Sequence, residues 1–158
     1  MSPADATPIF TSMLHAIDDR DWKAVRDTFD VEIDIDYNSL FGEPVKRVNA
    51  DAHVAEWEVF AGAFDATQHL TGPFVVQETA DGVRADTHIR AYHRIDGAQG
   101  GDLWVVVGHY EVRLRRVGTA WKIAGITLLV FYQEGNREIP EIARGRAAAA
   151  GKAGRVAR

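Results

Sequence analysis

Two histidines five residues apart fall on opposite faces of one predicted strand. Side chains leave a strand alternately on its two faces, and residues 83 to 94 alternate in polarity. The face of His93 also carries Val83, Ala85, Thr87, Ile89 and Ala91. The face of His88 carries charged residues, so we expect His93 inside and His88 outside. An inward imidazole titrates near neutral pH and suits proton transfer, although a purely structural core histidine is the alternative.

Asp18 is the carboxylate best placed to meet an inward histidine. It lies four residues after Leu14 and eight after Phe10, so it borders the apolar stripe of the first predicted helix. A buried carboxylate is costly unless it is paired, and an aspartate and a histidine relieve each other's desolvation. The alternative is that Asp18 only ends the first helix or caps the second.

The same reasoning assigns further side chains to the interior. Tyr37 continues the apolar alternation of residues 31 to 35. In the strand from residue 103 to 116, the inner positions include four residues that could line a pocket: Trp104, Val106, Gly108 and Tyr110. His109 then lies outside. The parity of His69 is ambiguous, and His53 is expected on a solvated helix face.

The predicted elements are helices followed by a long sheet. They are a helix from Thr7, a helix from Trp22 to about Phe29, a strand over residues 31–37, a helix over residues 50–64 and a meander of four strands over residues 69–133. Long antiparallel strands curl. We therefore expect an α+β fold: a cone-shaped, half-open barrel whose strongly curved mixed or antiparallel sheet is closed by the N-terminal helices around a pocket for a small organic molecule.

Composition excludes several classes of protein. The 158 residues, 46% of them apolar, suffice for one domain with one core. The absence of cysteine excludes disulfides and thiolate chemistry. The net charge of −5 argues against a nucleic-acid surface, and no apolar run is long enough to cross a membrane. With no phosphate-binding glycine loop or metal-ligand spacing, the sequence predicts a soluble, cytoplasmic protein without cofactor or metal.

Residues 144–158 differ in composition from the domain predicted for residues 1–143. They are basic, lack acidic residues and include the Ala/Gly-rich run 147–154. A frayed, solvated tail is expected, and a basic arm that contacts an acidic partner is the alternative.

The last predicted strand, residues 121 to 133, is apolar on both faces. One face carries Ile123, Leu129 and Phe131, and the other carries Ala124, Ile126, Leu128, Val130 and Tyr132. A single domain buries one face of such a strand against its own helices. We therefore expect a homodimer or homotrimer that packs the outer face.

Five segments in this order resemble a known family over residues 7 to 133. They are Asp18–Trp22, Ile35–Tyr37, Thr67–His69, Arg90–His93 and Trp121–Gly125. The chain resembles the nuclear transport factor 2-like superfamily, specifically its SnoaL-like branch of polyketide cyclases, and is similar to scytalone dehydratase. The resemblance implies a pocket with catalytic residues at Asp18, His69, His93 and Tyr37.

The chain also departs from that family's pattern. Ile17 stands where the dehydratase has a second tyrosine, which halves the pair that polarises the substrate carbonyl. Tyr110 stands where the dehydratase has an asparagine. Scytalone is therefore not the expected substrate.

The resemblance implies a cofactor-independent dehydratase or cyclase that acts on a small carbonyl-containing, polyketide-like or other secondary metabolite. His69 or His93 would remove a proton next to the carbonyl, Asp18 would hold the second histidine charged, and Tyr37 would donate to the enolate. The expected pocket-lining residues are Ile17, Trp104, Val106, Gly108 and Tyr110. The alternatives are an epoxide hydrolase or isomerase on the same barrel and a non-catalytic binding or dimerisation module.

Overall fold

The computed structural model describes residues 3 to 156, which form one curved sheet with helices on its concave side. After a 3-10 turn at Pro3–Ala6, the helices are α1 Thr7–Asp18, α2 Trp22–Thr28, α3 Asn38–Phe41, α4 Ala50–Ala61 and α5 Ile139–Val156. The strands are β1 Phe29–Asp36, β2 Lys46–Asn49, β3 Ala66–Thr71, β4 Val75–Thr79, β5 Gly82–Arg94, β6 Leu103–Val117 and β7 Ala120–Gly135.

Within the described chain the strands form one mixed sheet of seven, ordered β2-β1-β7-β6-β5-β3, with β4 also paired to β5. β1 runs parallel to β7, and the other pairs are antiparallel. The central strands β5, β6 and β7 have 13, 15 and 16 residues, and strands of this length twist and curl. The sheet does not close on itself, so it forms the cone-shaped, half-open barrel that the sequence predicts.

Helix α1 packs on the concave side of the sheet. Its apolar stripe buries Phe10, Met13, Leu14, Ala16 and Ile17. Phe10 packs edge-on against Tyr110 of β6, with ring centroids 5.2 Å apart. This packing brings the C-terminal end of α1, where Asp18 lies, against β3.

The expected four-strand meander is wrong at its start. Residues 66 to 79 form two strands, β3 and β4, which both pair with β5. Pro73 has no N–H for a strand ladder, so pairing is interrupted there. Gly72 N donates to His88 O at 3.0 Å, and the Thr87 hydroxyl donates to Gly72 O at 2.9 Å, which holds the break against the sheet. The short strand β2 was also not predicted.

The C-terminal segment is not a frayed tail in the described residues. Helix α5 runs from Ile139 to Val156, and residues 157 and 158 lie outside the described chain. Arg146 pairs with Asp65 at 3.0 Å, so a cation of the basic segment finds its acidic partner within the same chain. Arg144 lies over the rings of Phe41 and Phe60, 5.4 and 5.5 Å from their centroids. None of the described helices is long and apolar enough to span a bilayer.

Candidate active site

The cone contains a large, mainly apolar cavity of about 850 Å³. Its walls come from α1, from the concave face of the sheet and from α4, and α5 contributes Arg144 and Lys152. Cavities of this size suit a small organic ligand. The lining also includes polar side chains that can orient a ligand, among them Tyr37, His69, His93 and Tyr110.

Asp18 and His69 form a hydrogen-bonded pair at the cavity wall. Asp18 Oδ1 lies 2.7 Å from His69 Nδ1, and Asp18 Oδ2 accepts the backbone N–H of His69 at 2.8 Å. An ionised carboxylate only accepts, so Nδ1 carries a proton, and in the neutral tautomer of the ring the lone pair lies on Nε2. His69 lines the cavity, whereas Asp18 is not among the lining residues. Asp18 therefore lies behind His69 as seen from the cavity, and His69 is the member of the pair that a ligand can contact.

The Asp18 carboxyl stays ionised. Burial by itself raises the pKa of Asp18, but the hydrogen bonds from His69 and Thr67 and the charge attraction of His69 outweigh it, and the pKa is lowered overall. The Thr67 hydroxyl donates to Asp18 Oδ1 at 2.9 Å. Because three donors bind this carboxylate, its orientation is fixed.

His93 lies beside His69 but does not contact Asp18 in the way expected. The two imidazoles meet edge to face, with centroids 5.9 Å apart, and His93 also packs against Phe64 and Trp104 at 5.1 and 4.5 Å. Burial lowers the pKa of His93 to about 3, and the neighbouring His69 acts in the same direction. Of the two assignments that the sequence left open, the one in which Asp18 holds His93 charged does not fit, because His93 is neutral and the carboxylate pairs with His69.

Two tyrosines from different parts of the sheet face the cavity. Tyr37 follows β1, and Tyr110 comes from β6; both line the cavity, and each hydroxyl affects the pKa of the other. Burial raises the pKa of Tyr37 well above its ordinary value and that of Tyr110 to about 12, so both remain neutral donors. Sequence comparison with the dehydratase indicated half a pair, because Ile17 replaces one tyrosine. The structure instead supplies the second hydroxyl from Tyr110.

The other expected lining residues divide as follows. Ile17, Trp104 and Val106 line the cavity. Gly108 does not: a Cβ there would lie 2.2 Å from Leu129 O, so glycine serves a close backbone approach at an irregularity of the β6–β7 ladder. Gly108 is therefore not a candidate ligand contact.

The strand parity of β5 agrees with the structure. His93 faces the cavity, and His88 is exposed on the opposite side of the sheet. His109 also lies outside, but it is only partly exposed because Nε2 bonds Asp86 Oδ1 at 3.0 Å.

His53 is a lining residue that sequence reasoning placed wrongly in solvent. It is buried at 8% exposure, packs on Trp57 with ring centroids 4.4 Å apart, and borders the cavity. Burial lowers its pKa to about 4, and Nε2 has no hydrogen-bond partner among the described residues. The signal for this position is the spacing of four between His53 and Trp57, which places them on one helix face.

Metal ligands are not clustered in the described chain. Among the described residues, no group of three or more His, Asp or Glu side chains is arranged to hold a metal ion.

Known proteins with the same fold identify the family. The family model for the SnoaL-like domain matches residues 5–127. The Kfla4162 protein of Kribbella flavida is 27% identical with a TM-score of 0.80, over 89% of this chain and 95% of that chain. A Novosphingobium aromaticivorans protein proposed to be a scytalone dehydratase is 15% identical with a TM-score of 0.71, over 83% and 85% of the two chains.

A third structure with this fold is a hexachlorocyclohexane dehydrochlorinase, LinA type 2. It is 12% identical with a TM-score of 0.70, over 86% of this chain and 90% of that chain. No curated protein sequence matches the chain. The family match covers most of the described residues, and the solved structures share the fold over most of the chain. The chain belongs to the SnoaL-like domain family and has its nuclear transport factor 2-like fold.

Proposed function

We propose that the protein is an acid–base lyase of the dehydratase type, which removes a proton from a carbon next to a carbonyl group and expels a leaving group from the adjacent carbon. The observation that carries the proposal is the 2.7 Å contact between Asp18 and Nδ1 of His69 at the wall of an apolar cavity. An aspartate that orients a histidine and stabilises its charged form is a standard arrangement for general-base catalysis.

The first step uses His69. Its Nε2 lone pair takes the proton from the carbon, and the electrons of the C–H bond move into the enolate. The imidazolium that results is stabilised by the ionised Asp18. General acid–base catalysis of this kind contributes about 10²- to 10⁴-fold to a rate.

The second step expels the leaving group and protonates it. The enolate electrons form the carbon–carbon double bond as the leaving hydroxide departs, and the proton on His69 Nε2 converts that hydroxide to water. His69 returns to its neutral form. The neutral hydroxyl pair Tyr37–Tyr110 supplies a donor for the carbonyl oxygen while it carries negative charge. His93 remains neutral and adds a polar but uncharged edge to the cavity.

The neighbours support an elimination. The names of the proposed scytalone dehydratase and of the hexachlorocyclohexane dehydrochlorinase denote loss of water and of hydrogen chloride, respectively. Both reactions remove a proton from one carbon and a leaving group from the next. The proposed substrate class is a small carbonyl-containing, polyketide-like or other secondary metabolite that fits the largely apolar cavity.

Dehydration of 3-hydroxy-1-indanone tests the proposal. This bicyclic β-hydroxyketone loses water to give an enone, which is followed by its ultraviolet absorbance. We expect the protein to accelerate the loss of water with saturation kinetics, and His69→Gln to reduce kcat by at least about a hundredfold. His88→Gln on the outer face is the matched control and is expected to retain the rate.

Two results would contradict the proposal. One is no acceleration by the unaltered protein, and saturable binding of the ketone in that case would favour the non-catalytic binding module. The other is equal activity of His69→Gln and the unaltered protein.

We also propose that the outer face of the sheet packs against a second copy of the chain. On β7, Leu129, Phe131 and Tyr132 are 48%, 60% and 49% exposed. The predicted faces of this strand are wrong at its two ends, because the β6–β7 register shifts twice: Tyr132 joins the outer face and Ile123 is buried in the core. The same face of the sheet also carries ion pairs, including Arg84 with Glu111 at 3.0 Å and Arg113 with Asp34 at 2.7 Å. A face with interspersed charges of both signs can complement itself across a twofold axis, and a second copy would cover the apolar residues.

Phe131→Glu is expected to shift the protein to the monomer mass in light scattering at roughly tens of micromolar, because the added charge would be buried at the interface. Val117→Glu, an exposed apolar position at the far end of β6, is the control and should leave the mass unchanged. A monomer mass for the unaltered protein would contradict this proposal.

A further inference from the structure

Arg20 holds an unusual backbone conformation next to the candidate site. Among the described residues it is the non-glycine residue with positive φ, at 62°. Glycine and asparagine adopt this left-handed region readily, whereas arginine does so at a cost. The conformation directs the Arg20 side chain back from the end of α1 toward β3.

The guanidinium of Arg20 joins three parts of the site. Nη1 donates to Ile17 O and to Thr67 Oγ1, both at 2.9 Å, and Nη2 donates to Phe64 O at 3.2 Å. It therefore links the last turn of α1, the segment before β3 and β3 itself. Arg20 is not among the residues that line the cavity, so it has no direct contact with a ligand there.

The contact with Thr67 fixes the direction of one hydroxyl proton. Arginine has five N–H donors and no acceptor, so Thr67 Oγ1 must accept from Arg20. The single proton of the hydroxyl is then free to donate to Asp18 Oδ1 at 2.9 Å. The same Oδ1 lies 2.7 Å from His69 Nδ1. The four groups thus form a directed chain from Arg20 through Thr67 and Asp18 to His69.

We propose that Arg20 is a positioning residue, which orients the Thr67 hydroxyl toward Asp18 and thereby keeps the His69 proton on Nδ1 and the Nε2 lone pair free for the cavity. Its effect on catalysis rests on the proposed function, because that function uses Nε2 as the base. The effect on the His69 proton does not depend on any substrate.

Lysine at position 20 would not replace arginine. A lysine ammonium also donates without accepting, but as a single nitrogen it lacks the planar fork that reaches Ile17 O, Thr67 Oγ1 and Phe64 O together. Without the cation, the direction of the Thr67 hydroxyl is no longer fixed, and Phe64 O and Ile17 O lose their donor. When the hydroxyl turns away, Asp18 loses one of its three hydrogen bonds and is held less firmly by the remaining two.

Nuclear magnetic resonance of protein with ¹⁵N-labelled histidine tests this directly. The measurements are the tautomer of His69, from the shifts of its two ring nitrogens, and the rate at which its Hδ1 proton exchanges with water. We expect the Nδ1–H tautomer and slow exchange in the unaltered protein. In Arg20→Met and in Thr67→Val, exchange should be at least about tenfold faster, as expected for loss of one hydrogen bond to a charged group, and the Nε2–H tautomer should appear.

Two variants separate positioning from general bracing. Thr67→Ser keeps the hydroxyl and should behave as the unaltered protein. Arg146→Met removes another arginine that braces the same segment, through Asp65 at 3.0 Å and Ala63 O at 3.4 Å, without contact to Thr67. It should leave the His69 signals unchanged. The inference is overturned if Arg20→Met leaves the His69 tautomer and exchange unchanged, or if Arg146→Met alters them equally.

Kinetics on 3-hydroxy-1-indanone separate this inference from the proposed function. Arg20→Met should lower kcat at least about tenfold with KM nearly unchanged, because Arg20 does not reach the cavity. A larger KM at unchanged kcat would overturn the positioning role. If the unaltered protein dehydrates no ketone but Arg20→Met still releases the His69 proton, the proposed function fails and the positioning of His69 stands.

Discussion

Asp18→Asn is expected to lower kcat for dehydration of 3-hydroxy-1-indanone by at least about a hundredfold. The amide has one acceptor oxygen where the carboxylate has two, so it cannot accept from both the ring and the backbone of His69. If its NH₂ group faces Nδ1, His69 must take the Nε2–H tautomer and loses its free lone pair toward the cavity. The change should also cost about 1.5–3 kcal/mol of unfolding free energy, the typical value of a hydrogen bond to a charged group.

A second aspartate–histidine pair provides the matched control. Asp86 bonds His109 at 3.0 Å and also accepts from Arg84, on the opposite side of the sheet from the cavity. Asp86→Asn should lower the unfolding free energy by a similar amount and leave kcat unchanged. Full turnover in Asp18→Asn, or an equal loss of turnover in Asp86→Asn, would remove the catalytic role of the Asp18–His69 pair.

Acid should destabilise the fold in the window set by two buried histidines. The pKa of His93 falls from 6.5 to about 3 on folding, and that of His53 falls from 6.5 to about 4, because burial disfavours their charged forms. Between these values the unfolded chain binds more protons than the folded one. Stability is therefore complete above about pH 6.5 and is lost as the pH falls below it.

The unfolding free energy is expected to fall by about 1.4 kcal/mol per pH unit for each histidine. For the pair this amounts to on the order of 4 kcal/mol between neutral pH and about pH 5. Urea unfolding at fixed protein concentration measures it. His53→Phe and His93→Phe should each remove about half of the pH dependence, whereas His88→Phe should not change it. The ionised Asp18 carboxylate loses its contribution to stability only when the pH falls below its ordinary pKa of 3.8, which lies outside this window. A flat profile between neutral pH and pH 5 would contradict the neutral burial of both rings.

Periodicity in the sequence predicted positions where the backbone is regular. β5 pairs with β6 without interruption over residues 83 to 94, so counting by two placed His93 and His88 on the correct faces. Helix α1 is equally regular, which placed Asp18 at the border of its apolar stripe. The cone shape could also be predicted, because long strands, which curl, follow the N-terminal helices in the sequence.

Prediction failed where long-range contacts decide the structure. The contact between Tyr37 and Tyr110 joins β1 to β6, which are not neighbours in the sheet, and no local pattern encodes it. The basic composition of α5 suggests solvent, yet Arg144 packs on the rings of Phe41 and Phe60. Asp18 pairs with His69 and not with His93, and this choice likewise depends on how β3 approaches the end of α1.

Hydrogen exchange next to a carbonyl tests whether His69 is the base, because it isolates proton removal from the departure of a leaving group. The probe is 1-indanone in D₂O, which has α-hydrogens and no leaving group, and the readout is loss of its C2 proton signals. We expect that the protein accelerates this exchange, that His69→Gln abolishes the acceleration, and that the outer-face variant His88→Gln retains it. Exchange at the uncatalysed rate with saturating protein, or unchanged acceleration in His69→Gln, would contradict the assignment of His69 as the base.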